Sequence, residues 1–444
     1  MTFRTVLGGL IAASLAQTAS AAPPPAHEVW IGSWGYVSAP LPPGVTPAPA
    51  VFAPAPVAVP LGALPVPSAT APPPPQPLLD NPGGIPVDVA ATDLSNVTVR
   101  QAVRLSAGGK RLRLRISNEG GADALTLGAV HVGEAGPDGA IIPGSDRIVT
   151  FDGRTGVTAP ASSPILSDPI DLPTRPLEKL YVSIHVPGAI AARAPRALFQ
   201  YVAGTPGDMT AEGQLPQARL KRVTAYVTLV EVQSAEATSV VVALGDSITE
   251  GATSTGNAFR SWPDRLAERL VDRPWAVVNA GVSGNRLLRY GTGPTALARL
   301  DRDVLSVPGV KAIILLEGIN DIGRGFTRTG PTEPVTVEAL EAADKQIIAR
   351  AHEKGLRVIG ATLTPYEGAA YASPDGEAAR EALNQWIKSS GAFDGVIDFA
   401  AAVADPEAPL ALAPQFNIRD HLHPNDAGYK AMGDAVDLAV ITGR

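Results

Sequence analysis

The pattern of apolar residues along the chain changes near residue 235. Before that point, short apolar runs alternate with polar residues at a period of two, and Gly, Pro and Asp turns separate them. Alternation at this period is typical of strands with one buried face. Since no helical period intervenes, the pattern predicts an all-β sandwich domain over residues 96–235. The runs span residues 97–99, 112–116, 125–132, 180–186 and 223–232.

The first two of these runs flank a sequence of turn-forming residues, Ala107-Gly108-Gly109-Lys110. In the second run Leu112, Leu114 and Ile116 alternate with arginine. Two alternating runs joined by a glycine-containing turn predict a β-hairpin with one face exposed to water.

From residue 236 to residue 444, continuous apolar runs alternate with segments of helical periodicity. Such alternation predicts a parallel sheet covered by helices on both faces, a three-layer α/β/α domain. Ligands of these sheets bind beyond the carboxyl ends of the strands. The predicted strands are 240–244, 276–279, 311–316, 356–362 and 395–399, and the predicted helices are 262–271, 337–354, 376–389 and 425–440.

The first 95 residues have a different composition. Residues 1–21 contain Arg4, an apolar run and the small-residue sequence Ala19-Ser20-Ala21, the order of a secretory signal peptide. Residues 22–95 include a stretch rich in Pro and Ala, which disfavours helix and central strand. No apolar run after the signal is long enough to span a membrane. We therefore expect a secreted or periplasmic protein without a membrane span.

Charge and cysteine content exclude several classes of function. The formal net charge is -7 and no large cluster of Lys or Arg occurs, so nucleic acid is not an expected partner. The chain has no cysteine, which excludes disulfides, thiolate metal sites and a cysteine nucleophile.

Polar residues follow three of the predicted strands, and a fourth polar group lies near the end of the chain. Together they resemble, in type and in order, the four conserved blocks of the SGNH (GDSL-like) hydrolases, which have a flavodoxin-like fold. The four groups are Gly245-Asp246-Ser247, Gly281-Val282-Ser283-Gly284-Asn285, Gly318-Ile319-Asn320-Asp321 and Asp420-His421-Leu422-His423-Pro424-Asn425.

The resemblance implies a role for one residue or more of each block. Ser247 would be the nucleophile, His423 its general base and Asp420 the carboxylate that orients His423. The backbone N–H groups of Ser247 and Gly284 and the side-chain amide of Asn320 would form the oxyanion hole. A serine hydroxyl needs a neighbouring imidazole to accept its proton, and the oxyanion needs fixed donors. No cofactor and no metal are expected.

Further segments resemble a branch of the superfamily in which a β-domain precedes the hydrolase and which is grouped with xylan and other carbohydrate esterases. The resemblance implies a small-molecule or polysaccharide ester as substrate, with acetyl the expected acyl group. A general arylesterase or lipase-like carboxylesterase is the alternative. The β-domain itself could instead be a carbohydrate-binding module. The segments are Trp262-Pro263-Asp264-Arg265-Leu266, Asn285-Arg286-Leu287-Leu288 and Gly360-Ala361-Thr362-Leu363-Thr364-Pro365.

Two of these blocks have alternative interpretations. Ser247 and Glu250 also fit a capping box, Ser-x-x-Glu, which needs no catalysis. His421 competes with His423 as the base, and the Asp-His-x-His sequence is also compatible with half of a metal site. The spacing Asp-x-x-His of the family favours His423.

Overall fold

A computed structural model describes residues 28–37, 87–88, 95–119, 121, 123–189, 202–221, 226–235, 238–326 and 333–443. The predicted secretory signal over residues 1–21 and most of the Pro/Ala-rich segment lie outside these residues. None of the described helices has the length and apolar character that crossing a membrane requires.

The N-terminal part of the described chain is an all-β domain, as predicted. One sheet has the strand order β1-β13-β4-β9, a second has the order β2-β12-β11-β3-β10-β6-β7, and β5 pairs with β8. Because β1 pairs along its length with β13, this domain includes residues that precede position 96. The strands are β1 (Glu28–Gly35), β2 (Val87–Asp88), β3 (Ser95–Arg104), β4 (Leu112–Ser117), β5 (Leu125–Leu127), β6 (Val130–Glu134), β7 (Arg147–Val149), β8 (Val157–Ala159), β9 (Pro164–Leu166), β10 (Lys179–Ala189), β11 (Val202–Pro206), β12 (Arg219–Lys221) and β13 (Val227–Ala235).

The predicted hairpin between β3 and β4 is wrong, because the two strands belong to different sheets. β3 pairs with β10 and β11, whereas β4 pairs with β13 and β9. The turn residues bond to distant segments: the Gly109 N–H donates to the Thr174 carbonyl and the Lys110 N–H to the Gln233 carbonyl. The chain crosses between sheets here, and both strands bury their apolar residues in one core.

The C-terminal part is the predicted three-layer α/β/α domain. Its five parallel strands have the order β15-β14-β16-β17-β18. Residues 240–244 of β14 are all 0% exposed, and successive strand residues point to opposite faces, so both faces of the sheet are covered. The strands are β14 (Ser239–Gly245), β15 (Trp275–Gly281), β16 (Val310–Leu316), β17 (Arg357–Ala361) and β18 (Gly395–Ile397).

Three of the predicted helices are confirmed, and the last one is divided in two. Val436 has extended backbone angles, and the side chain of Asp437 then accepts the N–H of Ala439, which starts a new helix. The helices are α1 (Ser247–Glu250), α2 (Trp262–Arg269), α3 (Ala296–Leu300), α4 (Ile319–Gly325), α5 (Val337–Glu353), α6 (Pro374–Ser389), α7 (Phe399–Val403), α8 (Asp426–Ala435) and α9 (Leu438–Thr442), and a π-helical turn (Asp301–Leu305) follows α3.

The β-domain covers one edge of the parallel sheet. β15 is the edge strand, and β1 packs against it so closely that a Cβ on Gly35 would lie 2.4 Å from Val278 Cγ1. The buried hydroxyl of Ser106 accepts the Val277 N–H at 2.9 Å and donates to the Ser33 carbonyl at 2.6 Å. An exposed edge would offer unpaired backbone groups to other chains, so this cover stabilises the α/β domain.

We predict that a truncated chain beginning at Ser239 will not behave as an independent domain. Truncation exposes the backbone of β15 and the apolar side chains that β1 covers, which favours aggregation. Solubility and the melting temperature should fall together, and any hydrolysis of small aryl esters should be lost with them. A soluble truncated chain that hydrolyses aryl esters normally and fails only on polymers would show that the β-domain is a binding module.

Candidate active site

Ser247 is the first residue of α1, directly after the tight turn that follows β14. Asp246 is the N-cap of α1, and its side chain accepts the N–H of Ile248 at 2.8 Å. Gly245 allows the turn, because a Cβ there would lie 2.4 Å from the carbonyl oxygen of Leu316. The capping-box interpretation of Ser247 is therefore wrong: Asp246 is the cap, and Glu250 accepts the N–H of Ser283 at 2.6 Å.

Three side chains form a continuous chain of hydrogen bonds. Ser247 comes from the start of the α/β domain in sequence, and Asp420 and His423 come from near its end. Ser247 Oγ is 2.8 Å from His423 Nε2, and His423 Nδ1 is 2.6 Å from Asp420 Oδ2. The second oxygen of Asp420 accepts the backbone N–H groups of Leu422 and His423. Ser247 is 3% exposed and His423 1% exposed. The geometry fits an imidazole that donates from Nδ1 and accepts the serine hydroxyl at Nε2.

The hydrogen bonds of Asp420 keep its carboxyl ionised. Burial acts to raise the pKa, but the side-chain hydrogen bond to His423, the charge of that imidazole and two backbone N–H groups hold the pKa of Asp420 below its ordinary value. A carboxylate that stays ionised stabilises the imidazolium that forms when His423 accepts a proton.

The segment that carries His423 is fastened to the loop after α1. The hydroxyl of Thr253 donates to the carbonyl of Pro424 at 2.8 Å, and the hydroxyl of Tyr429 donates to the carbonyl of Ala252 at 2.6 Å. Asn425 caps α8 by accepting the N–H groups of Ala427 and Gly428. These contacts fix the distance between the histidine loop and the serine turn.

The other candidate base, His421, is held away from the serine. Asn417 Nδ2 donates to His421 Nδ1 at 2.9 Å, and a Cβ on Gly368 would lie 2.9 Å from His421 Cγ, so the ring rests against that glycine. Within the described part of the chain, no hydrogen bond joins His421 to Ser247 or Asp420. The family spacing favours His423 over His421, and the structure brings only His423 within hydrogen-bond distance of the serine.

The three predicted oxyanion donors follow three adjacent strands. β14, β15 and β16 end side by side, since Gly245 is aligned with Gly281 and Leu316. Among the described residues, the backbone N–H groups of Ser247 and Gly284 have no acceptor. Asn320 Nδ2 uses one hydrogen on the carbonyl of Asn285 at 3.1 Å and has a second hydrogen available. Gly284 has φ +72, a conformation that favours glycine.

A buried arginine that the sequence gave no reason to select connects these strand ends. Arg299 is 1% exposed and donates to the carbonyls of Gly245 at 2.8 Å and Ala280 at 2.7 Å. It also donates to Asn285 Oδ1 at 2.7 Å. Arg299 belongs to the short helix α3, which carries no motif, so no pattern in the single sequence could have identified it.

Buried carboxyl groups surround this arginine. Burial raises the pKa of Asp246 to about 6, against the N–H of Ile248 and the charge of His423. Glu317 is fully buried, and burial together with the neighbouring Asp246 raises its pKa well above the ordinary value. Among the described residues Glu317 Oε2 has no hydrogen-bond partner, and it lies 3.9 Å from Arg299 Nη2. Burial therefore favours the neutral form of Glu317 over the ionised form.

Residues 243–431 match the GDSL-like lipase/acylhydrolase family. The α/β domain is a GDSL-like ester hydrolase. No curated protein sequence matches the chain. Similar solved structures include a GDSL-like lipase from Bacteroides thetaiotaomicron VPI-5482, with 18% identity over 46% of this chain and 89% of that chain and a TM-score of 0.36. Another is an acetyl xylan esterase from Geobacillus stearothermophilus, with 21% identity over 44% of this chain and 92% of that chain and a TM-score of 0.36.

The raised pKa of Glu317 gives a pH-dependent prediction for the hydrolase domain. As the pH rises above 4.5, the ordinary Glu pKa, this carboxyl ionises more readily in the unfolded chain than in the folded chain, so the group makes the folded state less stable. Glu317→Gln removes that dependence. The melting temperature of the variant relative to the wild type should therefore increase from pH 5 to pH 9.

The matched control is Glu353→Gln, at the exposed end of α5, which should show no such trend. If Glu317→Gln instead became progressively less stable than the wild type at high pH, Glu317 would be an ionised partner of Arg299.

Proposed function

We propose that this chain is a serine esterase in which Ser247 is the nucleophile, His423 the general base and Asp420 the residue that orients the base. The observation that supports this assignment is the pair of short hydrogen bonds from Ser247 Oγ to His423 Nε2 and from His423 Nδ1 to Asp420 Oδ2. Each role requires this order of contacts, since the base must reach the serine with one ring nitrogen while a carboxylate holds the other.

In the proposed reaction, Ser247 Oγ attacks the ester carbonyl carbon as its proton moves to His423 Nε2. The carbonyl oxygen becomes negative and accepts hydrogen bonds from the N–H groups of Ser247 and Gly284 and from Asn320 Nδ2. His423 then gives its proton to the leaving alcohol, which leaves an acyl group on Ser247. Water, deprotonated by His423, attacks the acyl carbonyl, and His423 returns that proton to Ser247 Oγ as the bond to the acyl group breaks and the acid is released.

The proposed substrate is a short acyl ester, most specifically an acetyl ester of a saccharide. The sequence resemblance to the branch grouped with carbohydrate esterases supports this class. We further propose that the protein is exported, because residues 1–21 have the charge, apolar run and small-residue site of a secretory signal.

Replacing the nucleophile tests the proposal. Ser247→Ala should reduce hydrolysis of 4-nitrophenyl acetate and of acetylated oligosaccharides by about 10⁴-fold or more, since the hydroxyl forms the acyl-enzyme. The melting temperature should change little, because Asp246 and not Ser247 caps α1. On aryl esters of increasing acyl length, the wild type should be fastest with acetyl. Near-normal turnover by the Ala variant would refute the role of Ser247.

A comparison of variants in the final block tests the assignment of the base. His423→Ala should lose about as much activity as Ser247→Ala, and Asp420→Asn about 10² to 10⁴-fold, the upper figure being that of the corresponding change in trypsin. His421→Ala is the matched control and should lose much less, since its ring bonds to Asn417. The measurement is the rate at which each variant hydrolyses one aryl acetate, with melting curves to show that each variant is folded. An inactive His421 variant beside an active His423 variant would contradict the assignment.

A further inference from the structure

Two arginines flank the proposed oxyanion hole, and neither has all of its donors satisfied. Arg324 lies on α4, one turn after Asn320 and therefore on the same face of the helix. Arg286 follows Asn285, whose carbonyl accepts the amide of Asn320. The two side chains thus extend from the segments that supply the proposed donors.

Arg324 is a half-buried guanidinium for which the described residues provide no partner. Its Nε is buried and makes no hydrogen bond, and the group forms no ion pair with any of the residues that the structure describes. Burial, and then the like charge of Arg286, lower the pKa of Arg324, while Glu333 and Tyr371 oppose this shift. A partly desolvated charge without a counter-ion destabilises the folded chain, and such groups are concentrated at functional sites.

Arg286 is 4% exposed and is only partly satisfied. Its Nη1 pairs with Glu333, but its buried Nε has no partner. Gly291 packs against this Nε, since a Cβ there would lie 3.1 Å from Nε and 3.1 Å from the carbonyl oxygen of Gly284. The unused donor is therefore next to the segment that carries Gly284.

The negative groups nearby are already engaged. Glu333 pairs with Arg286, and Asp321 accepts the backbone N–H groups of Leu287 and Leu288 at 2.8 and 3.1 Å. Tyr371 packs over Gly323, and its hydroxyl donates to Asn320 Oδ1 at 3.4 Å. Arg324 thus remains, one helical turn after Asn320, without an ion pair among the described residues.

We propose that Arg324 and Arg286 form a subsite for a carboxylate on the alcohol part of the ester, so that the substrate is an acetylated saccharide containing uronic acid. This inference rests on the proposed function, in which the acyl group is short and carries no charge. A planar carboxylate suits guanidinium donors because it accepts two parallel N–H groups. Its binding would also supply the counter-charge that Arg324 lacks.

The test uses acetylated oligogalacturonides with free carboxylates and the same oligosaccharides after methyl esterification. The wild type should show a kcat/KM about 10 to 100 times higher on the free acid, the range expected for hydrogen bonds to a charged group. Arg324→Gln should bring the ratio near one, because kcat/KM falls much more for the free acid than for the methyl-esterified form. Arg324→Lys should retain part of the preference, because it keeps the charge and loses the planar donors.

The matched control is Lys354→Gln, which removes one positive charge at the C-terminal end of α5, at the opposite end of the sheet from the site, and should keep the wild-type ratio. Melting curves add a second distinction. A purely structural arginine would lower the melting temperature when replaced, whereas Arg324→Gln should not, since its side chain makes no hydrogen bond or ion pair with the residues that the structure describes.

Calorimetric titration with oligogalacturonides that carry no ester separates this inference from the proposed function. Arg324→Gln should weaken their binding about tenfold or more, and Lys354→Gln should not. If no ester is hydrolysed, the proposed function fails and this titration alone decides the carboxylate subsite. Equal kcat/KM values for the two substrate forms, or equal binding by wild type and Arg324→Gln, would overturn the inference.

Discussion

The arrangement of the site depends on one buried cation, Arg299, held among the ends of two parallel strands. Its guanidinium bonds to the carbonyls of Gly245 and Ala280 and to the side chain of Asn285. Strand ends leave carbonyl groups without partners in the ladder, and a buried carbonyl needs a donor. One planar group with five donors satisfies several of them and thereby fixes the serine turn relative to the loop that carries Gly284.

The carboxyl groups of the site differ in the direction in which their surroundings shift the pKa. Glu317 and Asp246 are both fully buried near Arg299; burial raises the pKa of each, and the charge of Asp246 raises that of Glu317 further, while Arg299 opposes both shifts. Asp420 is different, because its contacts with His423 hold its pKa low. The proposed mechanism needs Asp420 ionised, and its contacts with His423 favour that form. Burial favours the neutral form of Asp246 and Glu317.

Local sequence patterns predicted most elements of the fold, and the errors concern pairing between distant segments. The strands 240–244 and 311–316 and the helix 376–389 were identified because each depends on short-range periodicity. The pattern correctly predicts β3 and β4 as strands but wrongly pairs them in one hairpin. β3 pairs with β10 and β4 with β13, which are distant along the chain, and only the packing of the two sheets determines this pairing. The contacts of β1 and Ser106 with β15 also join segments that are far apart in the chain.

The sequence by itself determined the identity and order of the candidate site residues, because Ser247, Gly284, Asn320 and His423 occur in short motifs with characteristic spacing. Tertiary structure determined the contacts of the two histidines: His423 bonds to Ser247, and a hydrogen bond to Asn417 holds His421 away from the serine. It also decided the parts played by Arg299 and Arg324, which no motif marks. A motif is visible in the sequence because its residues are close together along the chain. The role of a buried charged side chain depends on hydrogen-bond partners that are distant along the chain and meet only in the folded structure.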